Sequence, residues 1–423
     1  LHVAEIVPVG EQARRQHMAE PAVNPHQGAL VVLQVENHRT ILERTRADDH
    51  VELVVHDRAR GLTFWSTMYL NSTQTHGVVR LYLKSSPTAA PFCTWNFNYD
   101  AAFSSTPITP DFPHIGLTNN YLHLITNNIQ NGTTWVGTSD YRLNIEDLIA
   151  CGSVTLRNNF YNWKGTVGQR VYKPAPGGKE VMYFGGPESS TQFRAFKWAD
   201  TAASPTTVLS SMSTSNFTDP DCRGGNNNVD LISRVTAYSN QGFTVSGAAG
   251  RMNDQRFVAF YWNVGPDATS GHSQGHIHGV ALAEGTLANI GNLAIFNSGM
   301  CWSFPAVNSN DRGDLGFAAA YGGRIGGGGG TATAAVPAVG ISDDISGTTP
   351  GVAPNPLYIT ASATDNSTRY GDYLTVRQVV PCSLAFSAAT YAMSSATTPV
   401  RKYTEFYRGR DSKCWTGRAN TLP

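Results

Sequence analysis

Residues 305–323 read PAVNSNDRGDLGFAAAYGG. An apolar start at Pro305, Ala306 and Val307 gives way to a polar stretch, Asn308 to Asp314, and apolar character resumes from Leu315 to Tyr321. Two apolar runs joined by a turn rich in Asn, Asp and Gly are the mark of a β-hairpin, because those residues accept the backbone angles of a tight turn. The second run is apolar without alternation, as in a strand covered on both faces. One hairpin predicts strands, and its recurrence decides the architecture.

The same strand, turn and strand pattern returns in PAVNPHQGALVVLQV (21–35), PHIGLTNNYLHLITN (113–127), VYKPAPGGKEVMYFGG (171–186), SRVTAYSNQGFTVSG (233–247) and YLTVRQVVPCSLAFSAATYA (373–392). The six starts, at 21, 113, 171, 233, 305 and 373, lie 92, 58, 62, 72 and 68 residues apart. Each interval has room for two more strands, for example VELVV (51–55) and LTFWSTMYL (62–70). A four-stranded antiparallel unit repeated around an axis is a β-propeller blade. The expected fold is therefore all-β, a β-propeller of six blades, with seven as the alternative because the long first interval has room for another. The expected organisation is an N-terminal segment, 1–18, and one propeller domain, 19–423. A set of β-sandwiches, built from the same hairpins, is the competing architecture. The Gly-rich stretch 321–340 lacks the Gly-Lys-Ser/Thr of a phosphate-binding loop and reads as a flexible loop within one blade.

Lys plus Arg and Asp plus Glu each number 31 of 423 residues, so the chain carries no net field to draw nucleic acid or an anionic membrane. No run of about 18 apolar residues predicts a membrane-spanning helix. The start LHVAEIVPVGEQ lacks the basic-then-apolar order of a signal peptide and reads as that of a processed, mature chain. Six cysteines, Cys93, Cys151, Cys222, Cys301, Cys382 and Cys414, are widely spaced with no C-x-x-C pair, which argues against a zinc ribbon and makes them disulfide candidates. Asn-x-Ser/Thr glycosylation sequons begin at Asn71, Asn131, Asn216 and Asn366. An even cysteine count, sequons and low charge together predict a secreted protein.

Three stretches, DFPHIG (111–116), CWSFPAVNSNDRGDLGF (301–317) and GDYLTV (371–376) with YTEFY (403–407) downstream, resemble the innermost-strand starts of the secreted sialidase-like β-propeller superfamily. The superfamily's Asp box, Ser-x-Asp-x-Gly-x-Thr-Trp, survives here only as DRARGLTFW (57–65) and NGTTW (131–135). The arginines with which sialidases clamp a carboxylate have no assigned counterpart, although Arg234, Arg251, Arg369 and Arg377 are available. The resemblance thus implies a propeller acting on glycans without implying sialic acid as the substrate.

In a propeller, residues just before the innermost strands face one end of the axis. That geometry nominates Glu20, Asp111, His114, Asp230, Arg234, Trp302, Arg369, Tyr370, Asp372 and Tyr373. Asp111, His114, Asp372 and Tyr373 are the catalytic candidates, and Asp230, Arg234, Trp302, Arg369 and Tyr370 the substrate-binding ones. Glycoside hydrolysis would use a carboxyl acid with a second carboxylate or a tyrosine nucleophile, drawn from Asp111, Asp372, Glu405 and Tyr373. Elimination across a uronate would use His114 or Tyr373 as base and Arg234 or Arg369 to neutralise the carboxylate. For any one of these residues, turn capping by an Asp or packing between blades by a Tyr is an equally ordinary role. His272, His276 and His278 in GHSQGHIHG (271–279) lack a further ligand at metal-site spacing, so no metal centre is predicted. A structural calcium on the axis is the one cofactor such a fold suggests, without a loop motif for it here. Arg-Gly-Asp at 312–314 is read as a tight turn rather than an adhesive tripeptide. The expected function is secreted glycan cleavage, by a hydrolase or a uronate-type lyase, in a central pocket. The alternative is a carbohydrate-binding or structural extracellular glycoprotein, although the aromatics do not recur at one place in each repeat as a lectin's would.

Overall fold

A computed structural model describes residues 3–5, 30–35, 50–70, 75–86, 89–103, 106–154, 160–163, 172–212, 245–252, 254–265, 275–296, 301–324, 332–342, 357–358, 374–380, 382–395, 398–408 and 410–411. Near the N-terminus β1 (Val3–Glu5) and β2 (Leu30–Val35) run parallel. The first sheet is β3 (His50–Asp57), β4 (Leu62–Leu70), β5 (Gly77–Lys84) and β6 (Cys93–Asn98). The second is β7 (Ile108–Leu117), β8 (Tyr121–Gln130), β9 (Thr134–Asn144) and β10 (Phe160–Trp163), with helix α1 (Ile145–Ile149) after β9. The third is β11 (Lys173–Ala175), β12 (Val181–Ser189), β13 (Gln192–Ala199) and β14 (Thr206–Ser211). The fourth is β15 (Ser246–Met252), β16 (Gln255–Val264), β17 (His276–Ala283) and β18 (Asn289–Ile295). The fifth is β19 (Cys301–Ser309), β20 (Leu315–Arg324), β21 (Ala332–Ser342) and β22 (Leu357–Tyr358). The sixth holds β23 (Thr375–Gln378), β24 (Phe386–Ser395) and β25 (Thr398–Arg408), joined by the two N-terminal strands in the order β1-β2-β25-β24-β23.

Five sheets therefore pair their strands in chain order, four to a sheet, as the repeated hairpins predict. The first repeat is the exception. β2, expected to belong to a hairpin of its own sheet, pairs antiparallel with β25 from the opposite end of the chain, Leu30 facing Arg408 and Val35 facing Tyr403. That pairing accounts for the long first interval, and among the described residues no additional sheet occupies it. The hairpin expected at 233–247 falls largely outside the described residues, and the first described hairpin of that sheet is β15–β16.

The chain packs as two compact units, 39–188 with 194–209, and 1–38 with 189–193 and 210–423. In the first, Phe64, Val79, Leu81, Leu83 and Phe97 of the first sheet meet Ile115, Leu122, Leu124, Tyr141 and Leu143 of the second, and Ile145 and Leu148 of α1 join them. The strict buried and half-buried alternation of β5 shows why: Val79, Leu81 and Leu83 all project to the face that the second sheet covers. In the second unit, Phe257, Tyr261, Ile277 and Leu293 pack on Trp302, Val307, Leu315 and Phe317, and Phe386 and Phe406 pack on Ala318 and Ile341.

Successive sheets within each unit are also tied through their first turns. Arg60 Nη2 donates to the Asn119 carbonyl (3.1 Å) and the Asn119 amide to Lys179 (2.6 Å), linking first, second and third sheets. The Arg251 amide donates to Gly313 (2.9 Å) and the Asp311 amide to Ser383 (3.0 Å), linking fourth, fifth and sixth. The Arg-Gly-Asp turn belongs to this second chain. Asn310 Oδ1 accepts from the amides of Arg312, Gly313 and Asp314, all at 3.0 Å. Arg312 is paired with Asp314 and with both oxygens of Asp411 (3.0 and 2.9 Å), and Asp314 is buried. Its charges are spent inside the fold.

Candidate active site

The stretch Asp111-Phe112-Pro113-His114 interrupts β7. Proline brings no N–H to the ladder and restricts the residue before it. Here Phe112 takes φ of +46°, and the register with β8 shifts between Asp111, which faces Asn127, and His114, which faces Ile125. A bulged, left-handed phenylalanine costs on the order of 1–3 kcal/mol and re-aims the side chains beside it. The fifth sheet repeats the device at Ser303-Phe304-Pro305-Ala306, with φ of +55° at Phe304 and the same one-residue slip. The bulge is thus a feature of the repeat. What distinguishes β7 is its flanks, an aspartate and a histidine where β19 has a serine and an alanine.

Lys173, at the start of β11, completes the group. Its side chain is 3% exposed, and Nζ stands 2.6 Å from His114 Nε2 and 4.9 Å from the centre of the Phe112 ring. Burial pulls the lysine down to about 7, against the opposing pull of the Asp111 carboxylate. At 2.6 Å one hydrogen fits between the two nitrogens, one donating and the other accepting, since two N–H groups facing each other would leave no lone pair to accept. Asp111, Phe112 and His114 are only half-buried, so the buried amine lies beside partly open neighbours. The residue before the lysine is anchored from behind: Tyr172 Oη donates to Glu188 Oε2 (2.7 Å), which also accepts from Arg194 Nε (3.1 Å).

A second acid and imidazole pair lies in the same sheet. His123 Nδ1 and Asp140 Oδ2 are 2.9 Å apart, both buried, with the imidazole edge-on to Trp198. Arg142 covers the rings of Tyr121 and Trp198 at 4.3 and 4.6 Å and donates to the Ala202 carbonyl (2.7 Å). This pair fills the interior.

Of the residues nominated from sequence, Asp111 and His114 come together. Trp302 is 2% exposed, with its ring 4.9 Å from that of Tyr321 in the core of the other unit, which gives a ligand no face to stack on. Asp230, Arg234, Arg369, Tyr370, Asp372 and Tyr373 lie outside the described residues, as do Asn71, Asn216, Asn366, Cys222 and Cys414. Asn131 is exposed on the β8–β9 turn with Gly132 and Thr133. Cys93 and Cys151 form a disulfide, and Cys301 and Cys382 are disulfide-bonded as well. Glu405 is buried and accepts from Tyr403 Oη (2.9 Å). His276 and His278 share a strand with ring centres 6.3 Å apart, and among the described residues no three His, Cys, Asp or Glu side chains gather as a metal site would. No described helix is long and apolar enough to cross a membrane.

Lys173 is the residue sequence reasoning passed over. A signal exists: aligning DFP, SFP and YKP puts a lysine where the other two repeats carry phenylalanine.

No protein-family model and no curated protein matches this chain. Solved structures do. A protein of unknown function from Dyadobacter fermentans is 8% identical, with 86% of this chain and 96% of that one covered at a TM-score of 0.46. A polysaccharide lyase of family PL25, an ulvan lyase bound to a glucuronate–sulfated rhamnose unit, is 9% identical, covering 85% and 80% at 0.41. An endo-arabinase from Bacteroides thetaiotaomicron is 12% identical, covering 87% and 96% at 0.36. At such identities and scores none of them decides what this chain does.

Proposed function

We propose that this chain is a glycan-cleaving enzyme, a lyase acting on uronate-containing polysaccharide, with its six sheets arranged as the blades of one secreted β-propeller over 19–423, to whose sixth sheet the N-terminal segment adds β1. The observation that carries the chemistry is the 2.6 Å contact between Lys173 Nζ and His114 Nε2 beside Asp111. Eliminative cleavage removes the proton next to the uronate carboxylate and expels the glycosidic oxygen, so it needs a base near neutrality and a positive charge for the carbanion. With Lys173 neutral the pair serves as the base, and the proton it takes leaves it the positive charge beside the carbanion. His114, the more open of the two, receives the proton and hands the one on Nε2 to the amine behind it, which then carries the charge. Asp111 keeps that charge on the pair. The half-buried Phe112 ring offers an apolar face for a sugar.

Glycoside hydrolysis is the second reading: it asks for a further carboxylate or a tyrosine across the bond from Asp111, and among the described residues of this cluster Asp111 is the one carboxyl group. The propeller arrangement is supported by the up-and-down order of the sheets and by β2, which adds an N-terminal strand to the C-terminal sheet. A disulfide, an exposed sequon at Asn131 and a charge-poor composition support secretion.

The test is incubation with a panel of uronate-bearing and neutral polysaccharides, following reducing ends and the ultraviolet absorbance of unsaturated uronate together. Absorbance with the uronate polymers, lost in His114→Gln and Lys173→Met, is the expected result. Reducing ends without absorbance would replace the lyase by a hydrolase. Silence across the panel would leave a glycan-binding or structural protein.

A further inference from the structure

We propose that Lys173 is a carbonyl-reactive amine: the site takes a small aldehyde or ketone as an imine on Nζ, with His114 moving the protons. The inference is independent of whether a glycan is cleaved. Its geometry is that of an amine prepared for attack. Lys173 is almost fully removed from water, and its Nζ lies 4.9 Å from the centre of an aromatic ring and, among the described residues, has as its close polar partner a nitrogen able to accept its proton. Desolvated lysines of this kind serve as Schiff-base nucleophiles because only the neutral amine has a lone pair to give. An ordinary lysine offers about one neutral molecule in several thousand at pH 7, whereas one titrating at about 7 offers about half.

The step balances without any oxidant. The Nζ lone pair forms the C–N bond while the carbonyl π pair moves to oxygen. The proton left on nitrogen passes to His114 Nε2 and on to that oxygen, giving a carbinolamine. The hydroxyl then departs with a proton as water, the remaining N–H proton is released, and C=N forms. With Lys173 buried and its neighbours Asp111 and His114 half-buried, the carbonyl compound this amine would take is a small one, such as a keto acid or an open-chain sugar fragment.

The experiment treats the full chain with limiting propanal and sodium cyanoborohydride at pH 7, which traps an imine as a secondary amine, and maps the modified lysines by peptide mass. The expected result is alkylation of Lys173 ahead of exposed lysines such as Lys179, by on the order of tenfold after allowing for the weaker nucleophilicity of a less basic amine. That preference should shrink at pH 10, where every lysine is increasingly neutral, and the reaction should slow in His114→Gln, which keeps the amine and removes the proton carrier. Labelling of Lys179 with Lys173 untouched, or a Lys173 preference unchanged between pH 7 and pH 10, would overturn the proposal. Because propanal carries no glycosidic bond, failure here and failure of the polysaccharide panel are separate results.

Discussion

Replacing Lys173 by methionine should make the protein more stable while abolishing turnover. The side chain is buried, and holding it at about 7 instead of 10.5 corresponds, at about 1.4 kcal/mol per pH unit, to about 5 kcal/mol of penalty for charging it in the folded state. Methionine fills nearly the same volume with no charge to desolvate, and it forfeits the hydrogen bond to His114, about 1 kcal/mol. The net gain at pH 6 is therefore about 3–4 kcal/mol. The pH dependence carries the sign. Between about 7 and 10.5 the unfolded chain holds a proton on this lysine that the folded chain has released, so wild-type stability rises with pH across that window. The advantage of Lys173→Met is accordingly full below pH 7 and falls to less than about 1 kcal/mol by pH 10. Urea unfolding of both proteins at pH 6 and pH 10, followed by tryptophan fluorescence, measures the difference directly, and groups common to both cancel. A variant less stable than wild type at pH 6, or a difference that does not change with pH, would refute the burial of an ionisable amine as the origin of the effect.

Three further outcomes follow from the packing. Gly316→Ala would place a Cβ 2.5 Å from the Phe386 ring and should lower stability by about 1–3 kcal/mol, whereas Gly285→Ala, with open space around it, should leave the thermal midpoint almost unmoved. Removing the disulfide that joins Cys93 to Cys151, 58 residues away, should cost about 4 kcal/mol on the loop-entropy estimate, read as a lower urea midpoint in the double alanine variant. Arg312→Ala strips Asp314 and Asp411 of their shared partner and should cost about 2–3 kcal/mol, against less than about 1 kcal/mol for Arg251→Ala, whose partner Asp254 is exposed.

The strands were legible because hairpin signals are local. The turns at Thr118–Asn120, Pro176–Glu180 and Asn310–Asp314 announce themselves, and the apolar runs around them became β7–β8, β11–β12 and β19–β20. The partner of β2 was not legible, since pairing between residues near 30 and near 405 leaves no local trace. Site residues divided along the same line. Asp111 and His114 stood out by their place beside a proline at an expected strand start, but the lysine that meets them comes from another sheet and was hidden among its apolar neighbours Tyr172 and Pro174. Trp302 shows the opposite failing: an aromatic at a strand start reads as a sugar platform until the neighbouring sheet's packing decides which way it faces.

The most direct test of the proposed acid and base pair is the pH profile of kcat/KM on a cleaved uronate polymer, measured for wild type and Asp111→Asn. The expected wild-type profile rises with one apparent inflection near 7, where Lys173 titrates against His114. Asp111 favours the charged lysine, so its neutralisation should move the inflection to lower pH. Identical inflections in the two proteins, or a rise only as pH approaches 10, would mean that the pair does not carry the reaction's proton.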